Sequence, residues 1–210
     1  MVVAALIMAG FIAAQRLVSF PTPDGGLIYA DLYGEGERGI VFAHGAQFSK
    51  SSWERQALVL VKAGFRVLAI DFRGYGQSRA GSESGKLYID VLAAIRYLHG
   101  KGAKNVSVMG GSMGGGAAAA AAAAAEPGEI DRLILLAPAP VGEPEKLKGR
   151  KLFVTSRGDS RAAKIREEFA RAPDPKEMLI LEGSAHAQHI FATEQGERLM
   201  NEILRFLAEP

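Results

Sequence analysis

The segment Asn105-Val106-Ser107-Val108-Met109-Gly110-Gly111-Ser112-Met113-Gly114-Gly115 decides how this chain is interpreted. Its first residues alternate between valine and polar side chains, which predicts a buried strand over residues 105–109. A glycine-rich turn follows. Residues 114–125 are then rich in glycine and alanine and end in nine consecutive alanines. Alanine is the strongest helix former, and its small side chain lets a helix lie close to a sheet. The segment therefore predicts a strand, a tight turn and a helix in immediate succession.

Ser112 lies in that turn between Gly110 and Gly114, in the order Gly-x-Ser-x-Gly. A serine on a sharp strand-to-helix turn exposes its hydroxyl above the sheet, and glycine two positions away on either side avoids collision with neighbouring backbone. The short pattern alone is weak, because an ordinary glycine turn is its structural alternative. The apolar strand before it and the helix after it supply the context that the motif requires. We therefore predict that Ser112 is a catalytic nucleophile.

Strands and helices alternate along the rest of the chain. Apolar segments predict strands over 16–20, 27–32, 39–43, 65–71, 133–137, 151–155 and 178–182, and helical periodicity predicts helices over 52–63, 87–98, 161–172 and 196–208. This alternation predicts an α/β fold, with a mostly parallel central sheet and helices on both faces. A short turn joins the first two strands, so we expect them to add an antiparallel edge. Ser51 or Ser52 is the expected N-cap of the first helix.

The composition suits one domain and excludes several kinds of site. The chain has 210 residues and a hydrophobic share of 48%, which suits a single core over residues 16–210. The net charge is +2 and no basic run stands out, so nucleic acid is not an expected partner. The absence of cysteine excludes disulfides, thiolate catalysis and cysteine-ligated metals. The four histidines form no His-Glu-x-x-His pattern, and we predict no metal and no cofactor.

Residues 1–15 form an apolar N-terminal segment with two open interpretations. Residues 2–14 are almost all apolar, but this run is shorter than the roughly 20 residues that cross a bilayer, so no stable membrane span is expected. The run has the apolar core of a secretory signal cleaved near Ala14, although no Lys or Arg precedes Arg16. The alternative is a helix packed on the domain of a cytoplasmic protein. The sequence decides neither the compartment nor the oligomeric state.

Three further segments accompany the serine motif. They are Val41-Phe42-Ala43-His44-Gly45-Ala46-Gln47, Asp71-Phe72-Arg73-Gly74-Tyr75-Gly76-Gln77-Ser78 and Ser156-Arg157-Gly158-Asp159. Together the four segments resemble the α/β-hydrolase superfamily over nearly the whole chain, and in particular its small, lidless serine esterases. They are similar to its serine turn, its His-Gly turn after the third strand, its Asp-x-Arg-Gly-x-Gly-x-Ser loop and its acid loop. The resemblance implies the α/β-hydrolase fold with a minimal cap domain or none.

A serine hydroxyl needs a base that takes its proton and a carboxylate that orients the base. The family order of serine, acid and histidine implies Asp159 as the acid and His186 as the base. Asp159 directly follows a predicted strand, and its structural alternative is a helix cap. Gly183 and His186 keep the family's Gly-x-x-His spacing. Glu182 is the weaker acid candidate, and His189 is the competing base.

Several neighbouring residues have structural interpretations. His44 is expected to be a structural histidine of the His-Gly turn, and His99 to lie on the surface at a helix end. Trp53 is expected to pack in its helix rather than against substrate. The loop 71–78 lacks the lysine and spacing of a phosphate loop and is expected to border the site as a structural turn. Ala187 stands where many relatives have glycine, so the sequence does not fix the path of the His186 loop.

The tetrahedral intermediate of acyl transfer needs two hydrogen-bond donors for its oxyanion. We expect the backbone N–H groups of Met113 and Ala46, with Gln47 as a substitute for Ala46. These residues imply hydrolysis of a small-molecule carboxylic ester through an acyl-enzyme. An amidase, peptidase, thioesterase or perhydrolase would use the same residues, and a non-enzymatic ligand-binding member of the fold is a further alternative.

The connector 139–150 bears on substrate size, because lids of this superfamily are usually inserted there. It contains two prolines, two glycines and alternating charges, and it has no amphipathic stripe. The sequence therefore predicts a shallow, open cleft at Ser112 and a preference for short acyl groups.

Overall fold

The computed structural model describes residues 15–209. The apolar run predicted over residues 2–14, with its two interpretations, lies outside the described residues. Every predicted strand and helix from residue 16 onward is present, with its ends within two residues of the expected positions. Among the described residues, no helix combines the length and the apolar character that a membrane span requires.

Residues 15–209 form eight strands and five helices in the predicted order. The strands are β1 Arg16–Pro21, β2 Leu27–Tyr33, β3 Arg38–Ala43, β4 Phe65–Ile70, β5 Asn105–Gly111, β6 Arg132–Leu136, β7 Arg150–Ser156 and β8 Lys176–Leu181. The helices are α1 Glu54–Lys62, α2 Tyr88–Gly100, α3 Met113–Ala124, α4 Ala162–Arg171 and α5 Gly196–Ala208. Short 3-10 helices cover Lys50–Trp53, Pro144–Lys146 and Ala187–Ala192.

The start of α1 differs from the prediction. The chain first forms the 3-10 helix Lys50–Trp53, and neither Ser51 nor Ser52 caps α1, which begins after Trp53 without a side-chain cap. The Ser52 hydroxyl donates instead to the Ser49 carbonyl at 2.6 Å. A serine hydroxyl competes in this way for nearby backbone groups, which favours a local turn over a clean helix start.

The strands form one sheet in the order β1-β2-β4-β3-β5-β6-β7-β8. The pairs β1–β2 and β2–β4 are antiparallel, as expected for the edge, and the remaining pairs are parallel. The chain moves from β3 outward to β4 and then returns to the other side of β3 to form β5. Ligands of open α/β sheets bind at such a reversal, beyond the carboxyl ends of the strands. The turns after β3 and β5 therefore meet at the expected binding edge.

The alanine-rich α3 packs into the core beside that reversal. Its residues Ala118, Ala121 and Ala122 have no exposed surface, and the helix contacts β5, β6 and α2. Because right-handed crossovers from β3 to β4 and from β4 to β5 run in opposite directions, α1 covers one face of the sheet, and α2 and α3 cover the other. Trp53 is fully buried and packs on Phe42 with ring centroids 5.0 Å apart, which confirms its structural interpretation.

The loop 71–78 is held by a buried ion cluster of Asp24, Arg73 and Asp90, which we call the arginine cluster. The Arg73 guanidinium lies 2.8 Å from Asp24 Oδ2 and 2.7 Å from Asp90 Oδ1, and each side chain is at most 7% exposed. A buried charge is tolerated only when it is paired and hydrogen-bonded. The cluster therefore fixes the loop at the edge of the site, as the structural interpretation of this loop predicts.

Candidate active site

Ser112 has a backbone conformation that is rare for any residue with a side chain. It lies between β5 and α3 with φ 49° and ψ −116°. A methyl group on Gly110 would overlap the Gly114 carbonyl oxygen, and one on Gly114 would overlap the Ala43 carbonyl oxygen. The glycines of the Gly-x-Ser-x-Gly motif are therefore required by close backbone packing. Strain of this kind persists only where the surrounding structure enforces it, and it concentrates at functional sites.

Ser112, His186 and Asp159, which we call the serine cluster, are joined by two hydrogen bonds. The Ser112 hydroxyl lies 2.9 Å from His186 Nε2, and His186 Nδ1 lies 2.7 Å from Asp159 Oδ2. A carboxylate only accepts hydrogen bonds, so Nδ1 carries the proton and Nε2 is free to accept from the serine. The Asp159 side chain is 1% exposed, whereas that of His186 is 38% exposed. The structure thus brings together the three side chains that the sequence singled out.

Asp159 also serves the local backbone. Its second oxygen, Oδ1, accepts the Arg161 N–H at 2.8 Å just before α4. This bond closes a local turn ahead of α4, which begins after Arg161 without a side-chain cap, so the helix-capping alternative is wrong. The competing acid Glu182 lies in an exposed ion pair with Arg157, at 2.9 Å.

The other described histidines lie apart from the Ser112 hydroxyl. The competing base His189 is exposed, and its ring packs on Phe48 with centroids 5.0 Å apart. His99 is half-buried at the end of α2, where it bonds the Ala103 carbonyl at 2.9 Å, so its expected surface position is only partly met.

His44 is a buried structural histidine, as predicted. Its Nδ1 donates to the Gly45 carbonyl at 2.8 Å, and its Nε2 accepts the Phe72 N–H at 3.3 Å. Burial lowers the pKa of His44, so the ring stays neutral, as this bonding pattern requires.

The expected oxyanion donors are free. Within residues 15–209 no backbone carbonyl or side chain accepts the N–H groups of Ala46, Gln47 or Met113. Met113 is the first residue of α3, so its N–H belongs to the unpaired first turn and to the positive end of the helix dipole. Both Ala46 and Gln47 therefore stay available as the second donor.

The peptide group that carries the Ala46 N–H has a fixed orientation. Its carbonyl, that of Gly45, accepts both His44 Nδ1 and the Phe48 N–H, the latter at 3.0 Å. The C=O and N–H of a trans peptide point in opposite directions. Because the carbonyl is held, the Ala46 N–H is held on the other side of the same plane.

Two residues at this site were not singled out from the sequence. The Tyr75 hydroxyl donates to the Ala46 carbonyl at 3.0 Å and lies 3.7 Å from Met113 Sδ. Gln188 Oε1 accepts the Gly45 N–H at 2.6 Å. Both contacts join residues far apart in the chain, so no local pattern reveals them. The only sequence signal was that each residue lies in a loop already assigned to the site.

Comparison with known proteins gives the family. The model of the α/β-hydrolase fold family matches residues 40–181. The chain belongs to this family. An esterase of Pyrococcus furiosus of known structure superposes with a TM-score of 0.79 at 19% identity, covering 93% of this α/β hydrolase and 90% of the esterase. At that identity the likeness concerns the fold alone.

Two curated relatives are similar in sequence to part of this α/β hydrolase. A non-heme chloroperoxidase of Streptomyces lividans is 34% identical over 104 residues, which are 48% of this chain and 37% of the relative. A bifunctional esterase/perhydrolase of Acinetobacter calcoaceticus is 40% identical over 70 residues, which are 32% of this chain and 25% of the relative. The matches thus span well under half of each curated relative.

Proposed function

We propose that this α/β hydrolase is a serine esterase that cleaves short-chain carboxylic esters through an acyl-enzyme intermediate. The observation that carries the proposal is the hydrogen-bonded chain from the Ser112 hydroxyl through His186 to Asp159. This arrangement has the geometry that an activated serine needs, with the base in turn oriented by a third group.

Each residue of the cluster has one task in the proposed reaction. As Ser112 Oγ attacks the ester carbonyl, His186 Nε2 takes the hydroxyl proton, and Asp159 stabilises the imidazolium that forms. The tetrahedral intermediate places its negative oxygen between the N–H groups of Met113 and Ala46. The intermediate then collapses: the alcohol leaves with the proton held by His186, and the acyl group stays on Ser112. Water then attacks the acyl carbon while His186 takes its proton. The proton passes to Ser112 Oγ as the acid leaves.

The connector 139–150 supports a preference for short acyl groups. Its Val141, Pro144 and Leu147 are buried, and its 3-10 helix packs against α3 and α4. The connector therefore directs these three side chains into the domain, and beside Ser112 it presents only the small Ala139 and the exposed Pro140. Each methylene of an acyl chain that stays in water forgoes about 0.8 kcal/mol of binding free energy.

Fluorophosphonate labelling tests the serine chemistry. We expect the wild-type protein to be labelled on Ser112 and the S112A variant to stay unlabelled. A folded wild-type protein that resists the probe would favour a non-enzymatic ligand-binding function.

A series of nitrophenyl esters of increasing acyl length tests the substrate class. We expect the largest kcat/KM with short chains, and no rise in rate when the ester aggregates. A maximum at long chains would show that another segment forms an apolar cover, and residues 1–14 would be the first to delete.

Perhydrolysis is a second candidate, favoured by the similarity to the Acinetobacter calcoaceticus esterase/perhydrolase. In that reaction hydrogen peroxide replaces water as the attacking group, and the acyl-enzyme yields a peracid and free Ser112. Peracid formation from a short ester and hydrogen peroxide would separate the two activities, since a pure esterase releases only the acid.

A further inference from the structure

Gln188 is a buried polar side chain that connects the loop of His186 to the turn of Ala46. It lies two residues after His186 in the 3-10 helix Ala187–Ala192, and it is 7% exposed. Its Oε1 accepts the Gly45 N–H at 2.6 Å, a contact between residues 143 positions apart. The proposed mechanism gives this side chain no chemical step.

The hydrogen bonds of Gln188 fix the orientation of its amide group. The Ser52 hydroxyl donates to the Ser49 carbonyl at 2.6 Å, so its oxygen is free to accept Gln188 Nε2 at 2.9 Å. With Nε2 committed to Ser52, Oε1 faces the Gly45 N–H. The backbone N–H can only donate, which requires the same amide orientation. The side chain is therefore held at both ends, and its acceptor is aimed at the turn.

The turn around Gly45 is the part of the site where small displacements matter most. Gln188 holds the peptide group between His44 and Gly45, and the next peptide group carries the Ala46 N–H. An oxyanion donor acts only within about 2.7–3.1 Å of the developing charge, and a misplacement of about 1 Å can cost roughly 100-fold in rate. Without Gln188 the buried Gly45 N–H would lack an acceptor, and the turn would shift to find one.

We propose that Gln188 is a positioning residue: its amide fixes the backbone of the turn that presents the Ala46 N–H and sets that turn against the loop of His186. The inference rests on the proposed esterase function. Gln188 acts through the backbone of Gly45 and touches no reacting atom. Its loss should therefore lower stabilisation of the transition state more than substrate binding.

The test is the Q188M variant, which keeps the volume of the side chain and removes its polar atoms. The matched control is Q56M, because Gln56 is also a buried glutamine, 8% exposed, with no partner for its Oε1 and no hydrogen bond to the turn among the described residues. We expect kcat for a short nitrophenyl ester to fall about 10- to 100-fold in Q188M, somewhat less than removal of an oxyanion donor itself. KM should stay within threefold, and Q56M should keep wild-type kcat.

The inhibition constant of a short alkyl boronic acid distinguishes a positioning role from a purely structural one. The boronic acid adds to the serine as a tetrahedral adduct, and its inhibition constant should rise in Q188M by the same factor as kcat/KM falls. The pH dependence of kcat should keep its wild-type shape, because Gln188 makes no hydrogen bond to the His186 ring. S52A should lower kcat less than Q188M, and the double variant should match Q188M, because Ser52 acts through Gln188.

Three results would overturn the inference: Q188M with kcat within threefold of wild type, an equal loss in Q56M, or a loss confined to KM. If Q188M fails to fold, an S52A variant with wild-type kcat and boronate affinity overturns it instead. A wild-type protein without esterase activity or labelling would defeat the proposed function, whereas an active wild type with an unimpaired Q188M would defeat this inference alone.

Discussion

The serine cluster and the arginine cluster are two polar groupings on neighbouring loops, and they are built in opposite ways. In the arginine cluster every charge is buried and paired, with Arg73 between Asp24 and Asp90. In the serine cluster the carboxylate of Asp159 is buried, but the chain of hydrogen bonds ends on the half-buried hydroxyl of Ser112. A network in which every charge is paired stabilises its loop. A chain of hydrogen bonds that ends on a partly exposed hydroxyl leaves that group free for substrate.

The two clusters also differ in which residues have positive φ angles. The positive φ angles beside the arginine cluster fall on Gly25 and Gly74, at 86° and 83°, where glycine adopts them without strain. Those of the serine cluster fall on Ser112 and Ala187, both at 49°. The protein thus tolerates an unfavourable conformation at Ser112, where the proposed chemistry needs a side chain that glycine lacks.

The largest expected effect is that of replacing Ser112. S112A should lower esterase turnover by about 10⁴-fold or more, with little change in melting temperature. S112G should be equally inactive but melt at a higher temperature than S112A, because glycine relieves strain of about 1–3 kcal/mol. Turnover of S112A within tenfold of wild type would reject Ser112 as the nucleophile. Equal melting temperatures would show that the turn stores no strain.

Replacing the two histidines of the same loop tests which one belongs to the serine cluster. H186A should lower kcat by about 10³-fold or more, since it removes the base. H189A should stay within about threefold, because that ring is exposed and packs on Phe48. The measurement is kcat for a short nitrophenyl ester. If H189A were the inactive variant, the loop would have to rearrange before reaction.

Replacing Arg73 tests the closed cluster. R73M leaves two buried carboxylates without a cationic partner, and we expect it to lower the free energy of unfolding by about 3–5 kcal/mol. The control is R171M, because Arg171 pairs with Glu145 on the surface with both side chains more than half exposed, and such pairs contribute about 0–1 kcal/mol. Urea unfolding measures both. Equal losses would contradict the contrast between the clusters.

The arginine cluster also predicts a dependence of stability on pH. The hydrogen bond from Arg73 lowers the pKa of Asp24 from its ordinary value of 3.8. The unfolded chain therefore takes up this proton first as the pH falls, and the contribution of Asp24 to stability is present above about 3.8 and lost below it. Burial raises the pKa of Asp90, and R73M removes the guanidinium that opposes this rise. The difference in unfolding free energy between wild type and R73M should therefore narrow as the pH falls from 7 and should shrink further below pH 4. A constant difference down to pH 3 would contradict this.

The smallest expected effect concerns Ala187. A187G should change the free energy of unfolding by less than about 1 kcal/mol, because relief of the left-handed conformation offsets the loss of a buried methyl group and the added chain entropy. A118G in α3 is the matched control. It loses a fully buried methyl group within a helix and should cost about 1.5–2 kcal/mol. Thermal unfolding compares the two, and a larger loss in A187G would mean that its backbone is unstrained.

Much of this molecule was predictable from the sequence because the deciding signals are local. Apolar runs gave the strands, helical periodicity gave the helices, and the Gly-x-Ser-x-Gly motif located the turn of Ser112. Asp159 and His186 were found only through the family resemblance, which supplies the spatial relation that spacing alone lacks. The N-cap of α1 was predicted wrongly, because the choice between a serine cap and a 3-10 turn depends on small differences in local hydrogen bonding.

The sequence by itself determined the order of strands and helices and the strained turn at Ser112, because each depends on residues adjacent in the chain. Only the tertiary structure decided that Tyr75 and Gln188 hold the backbone beside the expected oxyanion donors. Tyr75 and Gln188 reach that turn from other loops, Gln188 across 143 positions, and the shared direction of the parallel strands β3 to β8 brings these loops to one edge. Contacts of this kind depend on where the sheet places the loops, which no local pattern of residues records.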